Sequence, residues 1–341
     1  MSQFTVYVSN DLRVPSRGYD MGLGTLYEND DIEVTFLEAQ GNDAIDPANV
    51  ADADALIAIQ QQVTEETIRE LPELKLVSAF GAGLDHIDID ACTDHGVAVV
   101  NAPQPVRNAV AQSTLGMLIA CASRSVPFNN HIRERGFDGR IERMGNTLYE
   151  KTLGTIGLGM IGSKVVELVE PFDVEIITYD PYLPEERAAE LGVRLVSLDE
   201  LLVEADFVSL HCPLTPETRG MLGTEQFEQM KESAYLVNTT RGGIYDDAEL
   251  AAALEAGELA GAAIDVFEGE PHVDGNPLLE LDDCFLTPHI SGVLIETMTE
   301  QGVIVSEAVL SRFTDEIPRN LVNPEVYDEP VDSSLLSPSH R

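Results

Sequence analysis

The stretch that decides the fold is Leu153-Gly154-Thr155-Ile156-Gly157-Leu158-Gly159-Met160-Ile161-Gly162. It begins as an apolar strand and continues into the pattern G-x-G-x-x-G. A helical run follows at 163–169, and a second apolar strand ends at Tyr179-Asp180. This order of strand, glycine turn, helix, strand and acid is the context in which the pattern indicates a dinucleotide-binding fold.

Each glycine of the motif has its own physical task. Gly157 allows the tight turn, Gly159 lets the backbone approach a pyrophosphate, and Gly162 lets the helix pack close to the strand. The N–H groups near Met160 and Ile161 then face the phosphates at the positive end of the helix. We therefore predict that all five residues bind the cofactor.

Asp180 identifies the cofactor more closely. It lies 18 residues after Gly162, where a carboxylate can accept both hydroxyl groups of an adenosine ribose and repels a 2′-phosphate. The following residues, 181–184, contain no Arg or Lys that could bind such a phosphate. The sequence predicts NAD rather than NADP.

Short apolar strands alternate with helical stretches along the rest of the chain, which is typical of parallel α/β sheets. A length of 341 residues predicts two domains. The predicted strands of the first series are 4–8, 33–37, 55–59, 76–79 and 97–100, and those of the second are 153–157, 174–179, 207–211, 235–238, 262–265 and 285–287. Asn101–Pro105 interrupts the pattern, and long helices are predicted at Asn108–Ser123 and Glu296–Arg312.

The charge is extreme: 60 Asp and Glu against 20 Lys and Arg give a net charge of −40. Such a surface repels itself in dilute buffer, whereas at molar salt the Debye length falls to about 3 Å. We therefore expect a halophilic source; an acidic protein from an ordinary environment is the alternative. The charge excludes nucleic acid and anionic membranes as partners.

Targeting and cysteine patterns point to the cytoplasm. No apolar run reaches the roughly 18 residues that span a bilayer, and Met1–Val6 does not begin a signal peptide. The four cysteines are scattered without a C-x-x-C pair, so we expect reduced, buried thiols and no metal site.

Polar side chains follow three predicted strands of the second series. Arg241 comes after 235–238, Glu270 after 262–265, and His289 after 285–287. The carboxyl ends of parallel strands line the ligand crevice of an open sheet, so these residues should converge there.

These three side chains suit the reduction of a 2-keto acid, which needs hydride at C2 and a proton on its oxygen. His289 can donate that proton because histidine changes charge near neutral pH. Glu270 would favour the imidazolium and fix the ring, and Arg241 would bind the carboxylate and help to polarise the carbonyl.

The chain resembles the D-isomer-specific 2-hydroxyacid dehydrogenases, most clearly from Val77 to Pro324. Besides G-L-G-M-I-G, the resemblance rests on four motifs, which are His211-Cys212-Pro213-Leu214-Thr215-Pro216-Glu217-Thr218, Asn238-Thr239-Thr240-Arg241-Gly242, Asp265-Val266-Phe267-Glu268-Gly269-Glu270-Pro271 and Thr287-Pro288-His289-Ile290. It implies a Rossmann NAD-binding domain at 103–292, inserted into a flavodoxin-like substrate domain at 1–102 plus 293–325. We expect 326–341 to be a flexible tail.

The resemblance also implies roles for single residues. Arg241, Glu270 and His289 would be the catalytic triad of an NAD-dependent dehydrogenase acting on a D-2-hydroxy acid. Asp265 would hold the nicotinamide carboxamide. The loop Phe80–Asp85 would bind the substrate carboxylate through Gly81, Ala82 and Gly83. Further implied cofactor contacts are Cys212, Pro213, Thr218 and Thr239. A homodimer with residues 108–123 near its interface is implied as well.

Two departures leave other functions open. Gln112 and Ser113 stand where the family often has Glu-His, as in the C-terminal-binding-protein branch of transcriptional corepressors. An NAD-sensing interaction protein is therefore the alternative to an enzyme. Glu270 argues against formate oxidation, which usually has Gln there, and the order of Arg, Glu and His does not support an S-adenosylhomocysteine hydrolase. Glyoxylate, hydroxypyruvate, pyruvate and bulkier keto acids all remain possible substrates.

Overall fold

The computed structural model describes residues 3–13, 21–39, 41–142 and 144–338. The chain divides into two compact units. Unit 1 comprises Met1–Val106 and Val293–Arg341, and unit 2 comprises Arg107–Gly292.

The described residues contain twelve β-strands and eleven α-helices. The strands are β1 (Phe4–Val8), β2 (Ile32–Phe36), β3 (Ala55–Ala58), β4 (Leu76–Ala79), β5 (Ala98–Asn101), β6 (Thr152–Ile156), β7 (Glu175–Tyr179), β8 (Arg194–Leu195), β9 (Phe207–Leu210), β10 (Tyr235–Asn238), β11 (Gly261–Ile264) and β12 (Cys284–Leu286). The helices are α1 (Gly24–Tyr27), α2 (Glu65–Arg69), α3 (Ile89–Asp94), α4 (Pro103–Ala122), α5 (Ser125–Arg135), α6 (Met160–Val169), α7 (Glu185–Glu190), α8 (Leu198–Glu204), α9 (Thr224–Gln229), α10 (Asp247–Ala256) and α11 (Ile295–Phe313).

Each unit is built on one parallel sheet. In unit 1 the strand order is β2-β1-β3-β4-β5, which is the flavodoxin order. In unit 2 the order is β12-β11-β10-β9-β6-β7-β8. The predicted α/β class with two doubly wound parallel sheets is confirmed, and every predicted strand is present within one residue at each end.

Apolar side chains alternate between the two faces of the first sheet. Ala55 and Ile57 pack in one core cluster with Leu76, whereas Leu56 and Ala58 pack in another cluster with Val77. Successive side chains of a strand point to opposite faces, so a run that is apolar throughout is buried on both sides. This burial explains why these strands appear in the sequence as continuous apolar runs.

Helix α4 begins five residues earlier than the sequence predicts. Pro103 and Pro105 lie in its first turn, where a missing N–H removes no helical hydrogen bond. The division between the units falls inside this helix, after Val106.

A glycine crossing fixes helix α11 within unit 1. A Cβ atom at Gly302 would lie 1.6 Å from Met21 O, and one at Gly22 would lie 2.1 Å from Thr299 O. The Ser306 hydroxyl donates to Gly22 O across 3.2 Å. The backbones therefore approach closer than any side chain would allow, which sets the position of α11 along its axis.

The C-terminal segment corrects the prediction of a flexible tail at 326–341. Leu336 pairs with Leu321 in a β-bridge, and the buried Ser337 hydroxyl donates to Asn101 Oδ1 across 2.7 Å. Val326, Tyr327 and other apolar side chains pack against the unit 1 core, although their neighbours in sequence are acidic and Pro-containing. Residues 339–341 lie outside the described part of the chain.

All four cysteines are free and buried, as predicted. Burial raises the pKa of the Cys92, Cys121 and Cys284 thiols to about 12, and that of Cys212 to about 11. In the part of the chain that is described, no helix is long and apolar enough to cross a bilayer.

Candidate active site

The glycine motif lies at the point where the strand order of the second sheet reverses. Strand β6 is flanked by β7 on one side and by β9 on the other. Loops that leave neighbouring strands in opposite directions open a crevice at this place, and ligands bind there in doubly wound folds.

The three glycines have the contacts that their predicted tasks require. Gly157 has a φ of +87°, and a Cβ atom there would lie 2.8 Å from the N atom of Cys212. A Cβ atom at Gly162 would lie 2.9 Å from Gly157 O. At Gly159 no atom of the described residues, apart from its chain neighbours, lies within 4 Å of the Cβ position, so this face of the loop is open to a ligand.

Helix α6 begins directly after this loop without a side-chain cap. Its N-cap residue is Gly159, and Met160 and Ile161 form the first turn. The first N–H groups of a helix have no acceptor within the helix, so these groups can bind an anion. The uncapped turn and the open face at Gly159 fit a pyrophosphate.

Asp180 connects the glycine loop to the second strand of the motif. Its Oδ2 accepts from Leu158 N across 2.8 Å, and its Oδ1 accepts from Tyr182 N across 2.9 Å. Each oxygen accepts one hydrogen bond, so the remaining lone pairs of this partly exposed carboxylate can accept ribose hydroxyls.

The segment after β9 packs against the motif. The half-buried His211 places Nε2 3.0 Å from Ser209 Oγ, and desolvation of the ring lowers its pKa to about 4. Cys212 is buried behind Gly157. The Thr218 hydroxyl donates to Pro213 O across 2.6 Å, so it closes this turn. His211 begins one of the family motifs, but no role for its side chain is predicted from the sequence.

Arg241 is carried by a turn that Asn238 fixes. Asn238 Nδ2 donates to Arg241 O across 2.9 Å, and its Oδ1 accepts from Thr240 N across 2.9 Å. A Cβ atom at Gly242 would lie 2.1 Å from the carbonyl carbon of Phe267. The turn that carries Arg241 therefore contacts the segment that leads to Glu270.

Asp265 organises the loop that carries His289. It is fully buried, and its carboxylate accepts from Thr287 Oγ1, Ile290 N and Ser291 N at 2.6, 2.8 and 2.9 Å. His289 N also donates to Asp265 O. His289 has a φ of +53°, a left-handed conformation that a residue with a Cβ atom adopts only when its surroundings impose it. The Asp265 hydrogen bonds are that constraint.

His289 and Glu270 form an ion-pair-type contact. His289 Nδ1 lies 2.7 Å from Glu270 Oε2, and Glu270 Oε1 accepts from Phe267 N across 2.6 Å. An ionised carboxylate can only accept, so Nδ1 carries the proton and Nε2 is left for a substrate. The His289 side chain is 37% exposed and that of Glu270 is 18% exposed. Solvent or a substrate can therefore reach the imidazole ring more readily than the Glu270 carboxylate.

The three proposed catalytic residues follow the carboxyl ends of three adjacent strands, β10, β11 and β12. Neighbouring strands lie about 4.8 Å apart, so Arg241, Glu270 and His289 belong to the same edge of the sheet. The backbone contact between Gly242 and Phe267, and the hydrogen bonds of Glu270, link the three loops.

Two consecutive residues of helix α4 form hydrogen bonds with the loops that follow β10 and β12. The Ser113 hydroxyl donates to Ser291 O across 3.0 Å. Thr114 Oγ1 donates to Val110 O and lies 3.0 Å from Thr239 Oγ1, so the Thr239 hydroxyl donates to Thr114. The contacts with Ser291 and Thr239 join residues more than a hundred positions apart, so no local sequence pattern predicts them.

In unit 1, the predicted substrate loop follows strand β4. Gly81 O accepts from Ala102 N across 2.7 Å, and Ala82 O accepts from Asn101 Nδ2 across 3.0 Å. Within the described ranges, the N–H groups of Ala82 and Gly83 donate to no acceptor. The loop is thus held through its carbonyls and has backbone donors left for an anion.

The described side chains contain no group of three or more His, Cys, Asp or Glu residues that could hold a metal ion.

Comparison with known proteins links these features to one family. The model of the NAD-binding domain of D-isomer-specific 2-hydroxyacid dehydrogenases matches residues 115–291. D-3-phosphoglycerate dehydrogenase of Methanocaldococcus jannaschii is 43% identical over 276 residues, which are 80% of this chain and 52% of that protein. Glyoxylate reductase of Korarchaeum cryptofilum is 36% identical over 325 residues, 94% of this chain and 96% of the relative. The chain thus spans about half the length of the phosphoglycerate dehydrogenases and almost all of the glyoxylate reductase.

Two solved structures share the fold. D-lactate dehydrogenase of Aquifex aeolicus, complexed with NAD and lactic acid, has a TM-score of 0.78 at 27% identity and covers 91% of this chain and 96% of its own. An NAD-dependent formate dehydrogenase of Staphylococcus aureus, in complex with NAD, has a TM-score of 0.81 at 26% identity, covering 94% and 99%.

Proposed function

Because the chain belongs to the D-isomer-specific 2-hydroxyacid dehydrogenase family, we propose that it transfers hydride reversibly between NAD(H) and C2 of a D-2-hydroxy acid or 2-keto acid. Reduction of the keto acid is the favoured direction. The observation that carries the proposal is the 2.7 Å contact between His289 and Glu270, on the sheet that also carries the glycine motif.

The proton transfer belongs to His289. In reduction, Nε2 donates a proton to the oxygen of C2 as that carbon gains hydride, and in oxidation it takes the proton back. Glu270 holds the ring through Nδ1 and stabilises the imidazolium that oxidation leaves. Arg241 binds the substrate carboxylate in a geometry that lysine could not copy. NAD, when bound, would supply or accept the hydride.

The cofactor would be held by three groups of residues. Gly157, Gly159, Met160, Ile161 and Gly162 bind the pyrophosphate, and Asp180 binds the adenosine ribose. The remaining proposed contacts are Cys212, Pro213, Thr218, Thr239 and Asp265. Asp265 is fully buried, so its contact with the nicotinamide carboxamide would use an oxygen that already accepts hydrogen bonds from the His289 loop.

The substrate carboxylate would lie against Gly81, Ala82 and Gly83, whose loop has unused backbone donors. One relative that the chain matches over nearly its full length is named a glyoxylate reductase, so a small 2-keto acid is the first substrate to test.

The test is NADH oxidation in molar KCl with glyoxylate, hydroxypyruvate, pyruvate and bulkier 2-keto acids. We expect turnover with at least one of them and its loss in His289→Ala. NADH binding without turnover on any of them would refute the dehydrogenase and favour the corepressor-like alternative.

We also propose a homodimer. Phe137, Ile141 and Met144 of unit 2 are 74–77% exposed, and a cluster of large apolar side chains is typical of an interface. Residues 131–142 carry three arginines and three acids, so this surface lacks the repulsion that the rest of the chain has between copies. This segment follows the predicted 108–123 region in the chain. Light scattering should give twice the chain mass, and half of that for Phe137→Asp.

The acidic surface leads us to propose the cytoplasm of a halophile as the working environment.

A further inference from the structure

Gln301 of helix α11 is a buried residue whose side chain makes no hydrogen bond within the described part of the chain. The residue is 3% exposed, and its side chain neither donates to nor accepts from any described residue. Its amide atoms are not among the enclosed side-chain atoms that lack a partner, so the amide lies at the small part of the residue that solvent still reaches. A polar group in this position can donate to a ligand without first breaking a hydrogen bond within the protein.

The position of Gln301 is imposed by its neighbour in the chain. Gly302 contacts the backbone at Met21, and Ser306, one turn later, donates to Gly22 O. This crossing leaves α11 no freedom to slide along its axis. As a result, the Nε2 atom of Gln301 lies 3.9 Å from the Cβ position of Gly81.

Gly81 belongs to the predicted substrate loop, in which the backbone carbonyls accept hydrogen bonds from residues of unit 1. Ala102 N and Asn101 Nδ2 bind the carbonyls of Gly81 and Ala82, and the N–H groups of Ala82 and Gly83 have no acceptor among the described residues. The Gln301 amide adds a side-chain donor beside these backbone donors. Several convergent N–H groups without a positive charge form a site for a small anion such as a carboxylate.

We propose that Gln301 is a substrate-binding residue that donates from Nε2 to the carboxylate of the 2-keto acid held at Gly81–Gly83. The inference rests on the proposed function and adds to it a residue that none of the family motifs contains. Since the Gln301 amide makes no hydrogen bond within the described residues, its use in binding explains why an apolar side chain does not take its place.

The test compares two variants. Gln301→Leu keeps the side-chain volume but removes the amide donor, and Gln301→Glu introduces a negative charge that repels the substrate carboxylate. Gln61→Leu is the matched control in the same unit. Gln61 is also fully buried, but its Oε1 accepts from Ile59 N and its Nε2 donates to Asp11 Oδ2. The measurements are KM and kcat for glyoxylate, pyruvate and hydroxypyruvate, KM for NADH, and Tm.

We expect Gln301→Leu to raise KM about tenfold for all three keto acids, since the carboxylate is common to them, and Gln301→Glu to raise it further. The KM for NADH and the Tm should not fall, whereas Gln61→Leu should lower Tm and leave KM unchanged. Keto-acid KM values within twofold of the wild type would overturn the proposal. A rise for hydroxypyruvate alone would also overturn it, because Gln301 would then bind the C3 hydroxyl.

Failure of the proposed function is distinguishable from failure of this inference. If the wild-type protein turns over no keto acid, calorimetric titration of the NADH complex with oxamate still measures carboxylate binding. Gln301→Leu should then bind oxamate about tenfold more weakly than the wild type. Equal affinities would overturn the inference.

Discussion

The Nδ1 atom of His289 lies 2.7 Å from Oε2 of Glu270, whose other oxygen accepts from the backbone N–H of Phe267. The carboxylate is therefore fixed on both sides, and the imidazole ring is fixed by the carboxylate. Such a ring presents its second nitrogen in one direction without a further loss of entropy on binding.

His289→Ala should lower kcat/KM for the best keto acid by about 10²- to 10⁴-fold, because this is the usual contribution of a positioned proton donor. NADH affinity should change less than twofold. The exposed His272 is the matched control, and His272→Ala should behave as the wild type. Near-normal turnover of the His289→Ala variant would contradict the proposed role of His289 in proton transfer.

Asp265→Asn should lower both the stability of the protein and its turnover rate. The substitution replaces an acceptor of three hydrogen bonds by an amide that meets N–H groups with its own donors. We expect a loss of about 2 kcal/mol in the free energy of unfolding, measured by urea denaturation, together with a fall in kcat. Asp274→Asn, at an exposed position of the same unit, is the control. An unchanged unfolding midpoint would show that the left-handed His289 needs no such support.

Ser113→Ala should lower kcat several-fold with little effect on the KM for NADH, since the lost hydroxyl holds Ser291, two residues from His289. Ser113→Thr keeps the hydroxyl and should restore the rate. Ser123 also donates to a carbonyl of helix α4, but at its far end, so Ser123→Ala is the control. If Ser113→Thr has a kcat as low as that of Ser113→Ala, loss of the hydroxyl does not explain the fall in kcat.

Acid should destabilise the fold through His211. Burial lowers its pKa from 6.5 to about 4, so between these values the unfolded chain binds a proton that the folded chain does not. The stabilising contribution is complete above pH 6.5 and is lost as the pH falls towards 4, by roughly 3 kcal/mol in total. His211→Gln should flatten the dependence of unfolding free energy on pH in this window. Parallel curves for both proteins would contradict the assignment.

The melting temperature should rise with KCl from tens of millimolar to molar concentrations. At a net charge of −40 the folded surface repels itself, and salt screens that repulsion. Differential scanning calorimetry over a KCl series measures the effect, and sucrose at matched water activity is the control. A melting temperature that does not change with KCl concentration would contradict the prediction of a halophilic source.

Local features of the chain were predictable to different degrees. The strands around the glycine motif could be found because a parallel sheet buries both faces and so requires mostly apolar runs, as at Phe207–Leu210. Strand β8 has only two residues at the sheet edge, which is too short for any pattern. Arg241, Glu270 and His289 could be found because each follows a strand and because its chemistry is specific.

The supporting contacts could not be found in this way. Ser113 and Ser291 are 178 positions apart, and nothing in either neighbourhood predicts their hydrogen bond. Gln301 lies in an ordinary helical pattern, and only the close approach at Gly302 brings it beside Gly81. Such contacts depend on how elements pack, which one sequence does not encode locally.

The burial of all four thiols makes the protein a convenient host for spectroscopic labels. Thiolate is the form that maleimides alkylate, and a thiol with a pKa of 11 or higher supplies almost none of it at neutral pH. A cysteine introduced at the 88%-exposed Tyr182, next to Asp180, would therefore react selectively without removal of the native four. A fluorophore attached there would report the arrival of a dinucleotide directly.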